Sequence, residues 1–470
     1  LEIVSTLQWY LVNGARDETL RDALVGRGRE IDFHPEYMRV RYENWVGGLT
    51  GDWLVSRQRF FGVPIPVWYP VDAQGEPDYD APILPAPEQL PVDPAAEAPA
   101  GYDESQRGRA NGFIGEVDVM DTWMTSSLTP QLAGGWERDP ELFEMVYPFD
   151  VRPQGQDIIR TWLFSTLLRS ELEAGALPWK HTTISGFIVD PDRKKMSKSK
   201  GNVVTPAGLL DQHGSDAVRY WAASSRLGAD AAFDPQRPTQ MKIGRRLAIK
   251  VLNAAKLALG WDATGAAPDR VTHPLDLAML AELRGVIEGA TRALDEFNHA
   301  RALETTETFF WTFCDDYLEL VKERAYGDDE AARASAVSAV RLALSVLVRL
   351  LAPVIPFATE EVWSWWQSGS VHTAAWPAVD ELPTGGEPRA LELASEALTQ
   401  LRGAKTAVKV SQRTPMLRAT IAVPGAEAEL LRGIAGDLVA VGRIEELVLG
   451  ESDGALEVRD VELGEPPVKA

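Results

Sequence analysis

Apolar residues recur at a spacing of three to four through the second half of the chain. The members of the first such face are Leu247, Val251, Leu252, Ala255 and Leu259. Three further helical patterns follow at 274–297, 300–326 and 329–351, separated by short polar breaks. Since short connections make successive helices antiparallel neighbours, this pattern predicts a helical bundle.

The first half of the chain alternates between short apolar runs and helical patterns. Apolar segments near 146–151 and 182–189 have the length of buried strands, and a helical pattern at 157–174 lies between them. This alternation is typical of βαβ units with parallel strands. Prolines, glycines and aspartates crowd the stretch from about 66 to 112, which predicts an irregular surface insertion.

The pattern divides the chain into three regions and predicts a fold class of α/β plus all-α. We expect an α/β region at 1–240, a helical region at 241–385 and a small α+β region at 386–470. The last region begins with a basic helix at 391–408, which leads into an alternating strand at 417–423.

Composition narrows the class of protein. No apolar run reaches the roughly 20 residues that cross a bilayer, and the nearest one, at 342–356, contains Arg349, so we predict a buried helix and no membrane contact. One cysteine, Cys314, excludes a disulfide framework and favours a reducing, cytoplasmic setting. With six scattered histidines, no metal site and no structural zinc are expected. The chain begins at Leu1 without an initiator Met, which suggests the middle of a longer protein.

The net charge of -22 argues against indiscriminate nucleic-acid binding, but local basic strips remain. One strip follows the first predicted bundle helix, and we take Arg245, Arg246 and Lys250 as candidate contacts to RNA phosphates. A solvated helix face is an equally simple interpretation of this strip. The aromatic residues Phe309, Phe310, Phe357 and Trp363 are interpreted as core rather than as stacking surfaces for bases.

The sharpest chemical signal is a loop with two lysines and two serines, Lys195-Met196-Ser197-Lys198-Ser199. A strand pattern at 184–189 precedes it, and helical patterns at 206–210 and 215–226 follow it. The loop is therefore expected at the carboxyl end of a strand, where open α/β sheets bind ligands. Ammonium groups and small hydroxyl residues at such a place suit a triphosphate, although a solvated Lys/Ser loop would look similar.

This pentapeptide resembles the KMSKS loop of the class I aminoacyl-tRNA synthetases. The resemblance implies that all five residues contact ATP and that Lys198, assisted by Lys195, stabilises the pyrophosphate leaving group. It also places adenine against the backbone of Gly186, Phe187 and Ile188. Mg²⁺ would arrive with ATP as part of the substrate.

Four other stretches extend the resemblance over nearly the whole chain. The segment 52–69 is similar to the one that follows the editing insertion in the valine, isoleucine and leucine enzymes, and 121–127 resembles their Asp-x-Trp-x-x-Ser element. The segment 152–162 resembles the turn that holds the ATP ribose, and 309–322 with 353–363 resembles their anticodon-binding bundle. The resemblance therefore implies the second half of a Rossmann-type catalytic domain, an anticodon-binding bundle and a small C-terminal piece.

The same resemblance suggests which amino acid is bound. Trp123, Ile158 and Trp162 match the walls of the side-chain pocket in the valine enzymes, and two indoles make a small dry cavity. Isoleucine enzymes usually carry Gln where Ile158 stands, so valine is preferred. Core packing is the alternative for all three residues.

Gly155 and Asp157 are the candidates for the ribose contact. Glycine allows the sugar to approach the backbone, and a carboxylate accepts hydrogen bonds from ribose hydroxyls. Asp157 would equally suit the N-cap of the following helix.

The pattern of this family is incomplete in the chain. No His stands two residues before a Gly-His pair, and the editing domain of these enzymes is missing. We therefore expect a fragment of a monomeric enzyme that joins valine to tRNA(Val), with little activity as this chain alone. Two alternatives stay open: a synthetase for isoleucine or another branched amino acid, and a half-length protein that binds tRNA without catalysis.

Overall fold

The structure is a computed structural model that describes residues 6–196, 201–203 and 205–466. It contains two compact units. The N-terminal unit comprises Leu1–Phe187 with Leu227–Asp230, and the C-terminal unit comprises Ile188–Arg226 with Ala231–Ala470. The division into three regions at 240 and 385 remains a prediction, whereas the α/β plus helical fold class is confirmed.

The N-terminal unit contains short strands around one parallel sheet. Its helices are α1 (Glu18–Glu30), α2 (Arg39–Gly47), α3 (Thr122–Ser126), α4 (Thr129–Gly134), α5 (Pro140–Val146) and α6 (Phe164–Ala174). Its strands are β1 (Tyr10–Leu11), β2 (Asp32–His34), β3 (Trp53–Leu54), β4 (Ser56–Arg57), β5 (Trp68–Pro70), β6 (Phe113–Gly115), β7 (Val119–Met120), β8 (Phe149–Gly155) and β9 (Trp179–Ser185).

The parallel sheet has the order β2-β9-β8. Helix α6 connects β8 to β9, as expected of a βαβ unit. Buried residues from the sheet and from α1, α2 and α6 form one core, which includes Leu24, Tyr42, Leu167, Trp179 and Ile184. The strand β8 ends at Gly155, opposite Ser185 of β9, so both strands finish at the same edge of the sheet.

Two strand predictions were wrong, and the helical prediction at 157–174 is confirmed in extent but not in helix type. The first strand begins at Phe149 rather than 146, because Asp139 caps α5 and that helix continues to Val146. The helix predicted at 157–174 is a 3-10 turn, a π-helical segment at Ile159–Leu163 and then α6. The strand predicted at 182–189 is two strands in different sheets, interrupted at Gly186 and Phe187.

The C-terminal unit is mostly helical. Its helices are α7 (Pro206–His213), α8 (Ser215–Ala223), α9 (Thr239–Leu259), α10 (Pro274–Asp295), α11 (His299–Thr312), α12 (Leu318–Tyr326), α13 (Glu330–Leu351), α14 (Pro356–Ser364), α15 (Pro388–Ala407) and α16 (Ala428–Gly442). Its strands are β10 (Ile188–Val189), β11 (Ala231–Ala232), β12 (Met416–Val423), β13 (Ile444–Glu451) and β14 (Glu457–Leu463). In the last sheet, β12 lies between a parallel β13 and an antiparallel β14.

The bundle predicted from helical periodicity is present, and one core runs through it to β12. The helix predicted at 300–326 is interrupted by a π-helical segment, Phe313–Tyr317. Among the aromatic residues assigned to the core, Phe309, Phe310 and Trp363 are buried. Phe357 is 65% exposed, so that assignment was wrong; it lies in the first turn of α14, where its backbone N–H donates to Asp216 at 3.1 Å.

Helix α13 is long and apolar enough to cross a membrane. However, 83% of its most apolar stretch is buried inside the unit. Its role in the described structure is therefore that of a central core helix, which agrees with the buried helix predicted around Arg349.

One ion network joins the bundle to the C-terminal sheet layer. Arg324 of α12 donates from Nη2 to Asp276 of α10 and from Nε to Asp437 of α16, at 2.7 Å in each case. Tyr317 and Ser335 also donate to Asp276, at 2.8 and 2.7 Å. Every oxygen of these two buried carboxylates therefore accepts at least one hydrogen bond.

Candidate functional site

The candidate ribose contact lies where β8 ends. Asp157 is exposed and lies inside the 3-10 turn Gln156–Ile158, whose N-cap is Gly155, so the N-cap interpretation of Asp157 was wrong. A Cβ atom on Gly155 would stand 2.8 Å from Asp157 Oδ1. The absence of a side chain at Gly155 therefore leaves room for the Asp157 carboxylate next to the backbone.

An aspartate that the sequence did not single out organises the same edge. Asp230 Oδ1 accepts a hydrogen bond from Gln156 Nε2 at 3.1 Å and one from the backbone N–H of Phe187 at 2.8 Å. Gly186 passes so close to the backbone that an added Cβ would stand 2.1 Å from the carbonyl oxygen of Ala229. The backbone predicted to face adenine is thus held in place by Asp230 and by close packing at Gly186.

The predicted adenine segment is divided between the two units. Gly186 and Phe187 belong to the N-terminal unit, whereas Ile188 begins β10 of the C-terminal unit and is 51% exposed.

Trp123 faces a cavity of about 400 Å³ in the N-terminal unit. Its backbone N–H is capped by Asp121, which also forms an ion pair with Arg57 at 2.9 Å. Trp45 and Asp52 line the same cavity, and each has a buried polar side-chain atom, Nε1 and Oδ1, without a hydrogen-bond partner among the described residues.

Ile158 and Trp162 do not line that cavity. Trp162 stacks on Trp179 with ring centroids 6.0 Å apart, and the guanidinium carbon of Arg152 lies 3.5 Å from the centroid of the Trp162 ring. Burial alone lowers the pKa of Arg152 to about 10, without a contribution from a carboxylate of the described residues. The structure thus places Trp123 at this cavity and Trp162 in an aromatic stack that does not line it.

The lysine loop begins in the C-terminal unit, after β10. Asp190 accepts hydrogen bonds from the Lys194 backbone N–H at 2.8 Å and from Asn202 Nδ2 at 2.9 Å. The bonds from Asn202 and Lys194 lower the pKa of the Asp190 carboxyl group. Asp190 therefore ties together the two ends of the loop, a role that the sequence did not indicate.

Two described residues of the motif itself have defined positions. Lys195 forms an isolated bridge with Val189, and Met196 packs against a small core that includes Phe233 and Met241. Ser197, Lys198 and Ser199 lie outside the described residues.

The three candidate RNA contacts lie along α9, and each interacts with another part of the unit. Arg245 donates to the carbonyl oxygen of Gln212 at 2.9 Å, and Lys250 pairs with Asp315 at 2.7 Å. The guanidinium of Arg246 lies 5.1 Å from the centroid of the Trp311 ring. Arg246 is exposed and contacts the face of the Trp311 ring, and its N–H groups donate no hydrogen bond to the described residues.

In residues 6–196, 201–203 and 205–466, no group of three or more His, Cys, Asp or Glu side chains is arranged to hold a metal ion. Cys314 is buried in the π-helical segment, and burial raises the pKa of its thiol to about 12.

Comparison with known families gives two matches. Residues 2–234 match the model for tRNA synthetases class I (I, L, M and V). Residues 276–421 match the model for the anticodon-binding domain of tRNA ligase.

Two curated relatives are similar along nearly the whole chain. The valine–tRNA ligase of Leifsonia xyli subsp. xyli is 67% identical over 470 residues, covering 99% of this chain and 54% of the relative. The valine–tRNA ligase of Thermobifida fusca is 60% identical over 468 residues, covering 98% of this chain and 53% of the relative. The chain thus spans about half the length of the curated relatives it matches.

Solved structures share the fold at low sequence identity. A ternary LeuRS–tRNA–LeuAMS complex from Agrobacterium radiobacter K84 matches with a TM-score of 0.56 and 19% identity, over 89% of this chain and 52% of that one. Mycobacterium tuberculosis methionyl-tRNA synthetase in complex with methionyl-adenylate matches with a TM-score of 0.52 and 22% identity, over 73% of this chain and 60% of that one.

Proposed function

We propose, on the premise that the chain belongs to the class I tRNA synthetase family, that it is the distal part of a valine–tRNA ligase. The intact enzyme would use ATP to convert valine to valyl-adenylate and would then transfer the acyl group to the 3′ end of tRNA(Val). The observation that most supports this proposal is the similarity, at 67% and 60% identity, to two valine–tRNA ligases along at least 98% of the chain.

The lysine loop would act on the leaving group. A carboxylate oxygen of valine attacks the α-phosphate of ATP, the bond to the β-phosphate breaks, and pyrophosphate leaves with the bonding electrons. Lys198, assisted by Lys195, would stabilise the negative charge that grows on pyrophosphate, since preorganised cations favour a state in which such charge develops. The hydrogen bonds of Asp190 to Lys194 and Asn202 support this role, because they fix the described residues on either side of the motif.

The nucleoside would bind along the edge where β8 and β9 end. Gly155 and Asp157 would contact the ribose, and the backbone at Gly186, Phe187 and Ile188 would contact adenine. Asp230 would act as a positioning residue, because its carboxylate fixes the Phe187 N–H. Mg²⁺ would enter as part of the ATP substrate.

The amino acid would bind against Trp123, Ile158 and Trp162. The cavity beside Trp123 supports this assignment for that residue. For Ile158 and Trp162 the assignment depends on their spacing in the sequence. On the RNA side, we propose that Arg246 contacts a tRNA phosphate, with weaker contributions from Arg245 and Lys250.

The larger organisation is part of the same proposal. Residues 1–240 would be the distal half of the catalytic domain, 241–385 the anticodon-binding bundle and 386–470 a small C-terminal region. The intact protein would act as a cytoplasmic monomer.

The test is valine-dependent exchange of pyrophosphate into ATP by the full-length protein that contains this chain. Lys198→Ala should lower kcat by about 100-fold or more, as removal of one preorganised stabilising group does. Lys194→Ala is the matched control, because this exposed lysine pairs with Asp192 and should leave exchange within about twofold.

Two results would contradict the proposal. Unchanged exchange in Lys198→Ala would remove the role of that lysine. Exchange that depends on isoleucine rather than valine would replace the substrate.

A further inference from the structure

A second cavity, of about 490 Å³, lies inside the C-terminal unit, near the C-terminal ends of α12, α15 and α16. Its charged lining residues are Glu319, Lys322, Glu323, Arg402, Lys405, Arg413 and Arg443. Five positive charges against two negative ones leave a formal charge of +3. In a chain of net charge -22, such a local excess of cations needs an explanation.

Lys405 is the buried member of this cluster, with 2% of its surface exposed. Its Nζ donates to the carbonyl oxygens of Gln412 at 3.1 Å and Gly442 at 2.9 Å. An ammonium group has three N–H donors, so in the described part of the chain one donor has no protein partner and no carboxylate balances the charge. Burying a charge in this way is costly unless an anion compensates it.

Arg413 and Arg443 add two cations that no carboxylate pairs with among the described residues. The Arg413 side chain is exposed and makes no hydrogen bond there, and the Arg443 side chain donates among the described residues only to the carbonyl oxygen of Arg413, at 3.4 Å. Carbonyl groups at helix C-termini attract cations, and the Gly442 carbonyl at the end of α16 is one partner of Lys405, but such carbonyls carry only partial charge and do not balance a full ammonium. They do not account for Arg413, which follows α15 by six residues.

The remaining charged residues are partly balanced. Lys322 lies 3.8 Å from Glu319, and Arg402 lies 3.4 Å from Asp316. The unbalanced charge is therefore concentrated on Lys405, Arg413 and Arg443.

We propose that this cavity is a binding site for a phosphate group, held by Lys405, Arg413 and Arg443. Guanidinium groups bind phosphate oxygens through two parallel hydrogen bonds, and an ammonium adds a compact point charge. The volume suits a small ligand or one phosphate-bearing segment of a longer molecule. The site goes beyond the proposed function, because it involves neither the lysine loop nor the basic face of α9. The phosphate has two possible sources, a free phosphate compound or the backbone of an RNA.

The first experiment titrates the chain with inorganic pyrophosphate in an isothermal calorimeter. The chain carries Lys195→Ala and Lys198→Ala, so that the lysine loop does not contribute binding. Adding Arg413→Gln should weaken binding by at least about fivefold, since it removes a charged donor at a partly solvated site. The matched control is Arg432→Gln, which removes the same charge from α16 at a position that does not line the cavity and should change affinity by less than about twofold.

The second experiment repeats the comparison with a short RNA hairpin, followed by fluorescence anisotropy at low salt. Weakening by Arg413→Gln for pyrophosphate supports a free phosphate compound as the ligand. Weakening for the hairpin alone supports an RNA phosphate. Equal affinities of the Arg413→Gln and Arg432→Gln chains for both ligands would overturn the site.

This test is independent of the proposed enzymatic activity. Arg413→Gln in the full-length protein should leave valine-dependent pyrophosphate exchange unchanged, because the residue is remote in sequence from the lysine loop and belongs to the other site. Loss of phosphate binding with normal exchange separates the two proposals.

Discussion

Two partly buried arginines show how differently the two units accommodate a cation. In the C-terminal unit, burial lowers the pKa of Arg324, but hydrogen bonds to Asp276 and Asp437 outweigh it and raise the pKa above the usual value. In the N-terminal unit, burial acts alone on Arg152 and lowers its pKa to about 10, because the guanidinium lies on indole rings. The helical unit therefore neutralises its buried charge internally, whereas the sheet unit leaves its cation on aromatic faces.

The largest loss of stability is expected when Arg324, which neutralises Asp276 and Asp437, is replaced. Arg324→Met should cost about 3–5 kcal/mol of stability, because it leaves Asp276 and Asp437 buried without a counter-charge. Differential scanning calorimetry would show the transition of the C-terminal unit at a lower temperature. Arg432→Met on α16, where the arginine is exposed, is the control, and a loss below about 1 kcal/mol for Arg324→Met would remove the contrast between the two units.

The second largest loss of stability is expected from a steric change in the N-terminal unit. Gly186→Ala should cost about 1–3 kcal/mol, since its Cβ would meet the Ala229 carbonyl oxygen at 2.1 Å and the backbone must shift. Gly26→Ala in α1 is the matched control, because nothing lies within 4 Å of its added Cβ, and it should be neutral or stabilising. Equal melting temperatures of the two variants would show that the backbones at Gly186 and Ala229 pack less closely than the structure indicates.

The third prediction compares the replacement of Arg152 directly with that of Arg324. Arg152→Met should cost about 1 kcal/mol or less, because it removes a cation–π contact but leaves no carboxylate unpaired. Measured by calorimetry beside Arg324→Met, it should lower the melting temperature far less. Equal losses in the two variants would mean that pairing with a carboxylate does not distinguish these arginines.

The smallest effect is a pH dependence in the C-terminal unit. Arg349 donates to Glu381 at 2.5 and 3.0 Å, and these bonds lower the pKa of that carboxyl group below its ordinary 4.5. The stabilisation is complete above pH 4.5 and disappears as the pH falls through the lower pKa of the folded state. Because the Glu381 side chain is 37% exposed, solvent limits the effect to less than about 1 kcal/mol.

The loss of stabilisation by the Arg349–Glu381 pair would be measured from melting temperatures between pH 5 and pH 3, with Glu381→Gln as the control. The variant should lose this part of the pH dependence while keeping the rest. Parallel curves for the two proteins would assign the acid sensitivity to other carboxylates.

The sequence predicted the bundle well because long amphipathic helices carry their own signals. The pattern at 329–351 became α13 at Glu330–Leu351, with Asp329 as its N-cap. The π-helical segment at Phe313–Tyr317 was not predicted, since apolar spacing indicates a helix but not whether its hydrogen bonds run from i to i+4 or from i to i+5. Strand boundaries were less accurate, because short apolar runs do not distinguish a strand from the end of a helix such as α5.

The candidate site shows the same limits. The lysine motif was found because five specific residues stand together, and Gly155 and Asp157 were found through a similar run. Asp190 and Asp230 were missed, because each acts through a single carboxylate in a loop and gives no periodic signal. Their partners became apparent only when the folded backbone brought Phe187 and Lys194 within hydrogen-bond distance.

The lone cysteine has a practical consequence for spectroscopy. Cys314 is buried, and burial raises the pKa of its thiol to about 12, so at neutral pH it holds its proton and reacts slowly with maleimides. A cysteine introduced at an exposed position such as Lys194 or Arg413 would therefore accept a fluorophore selectively in the native chain. Because Cys314 would stay unlabelled, fluorescence from a dye at position 194 or 413 would report ligand binding next to that position.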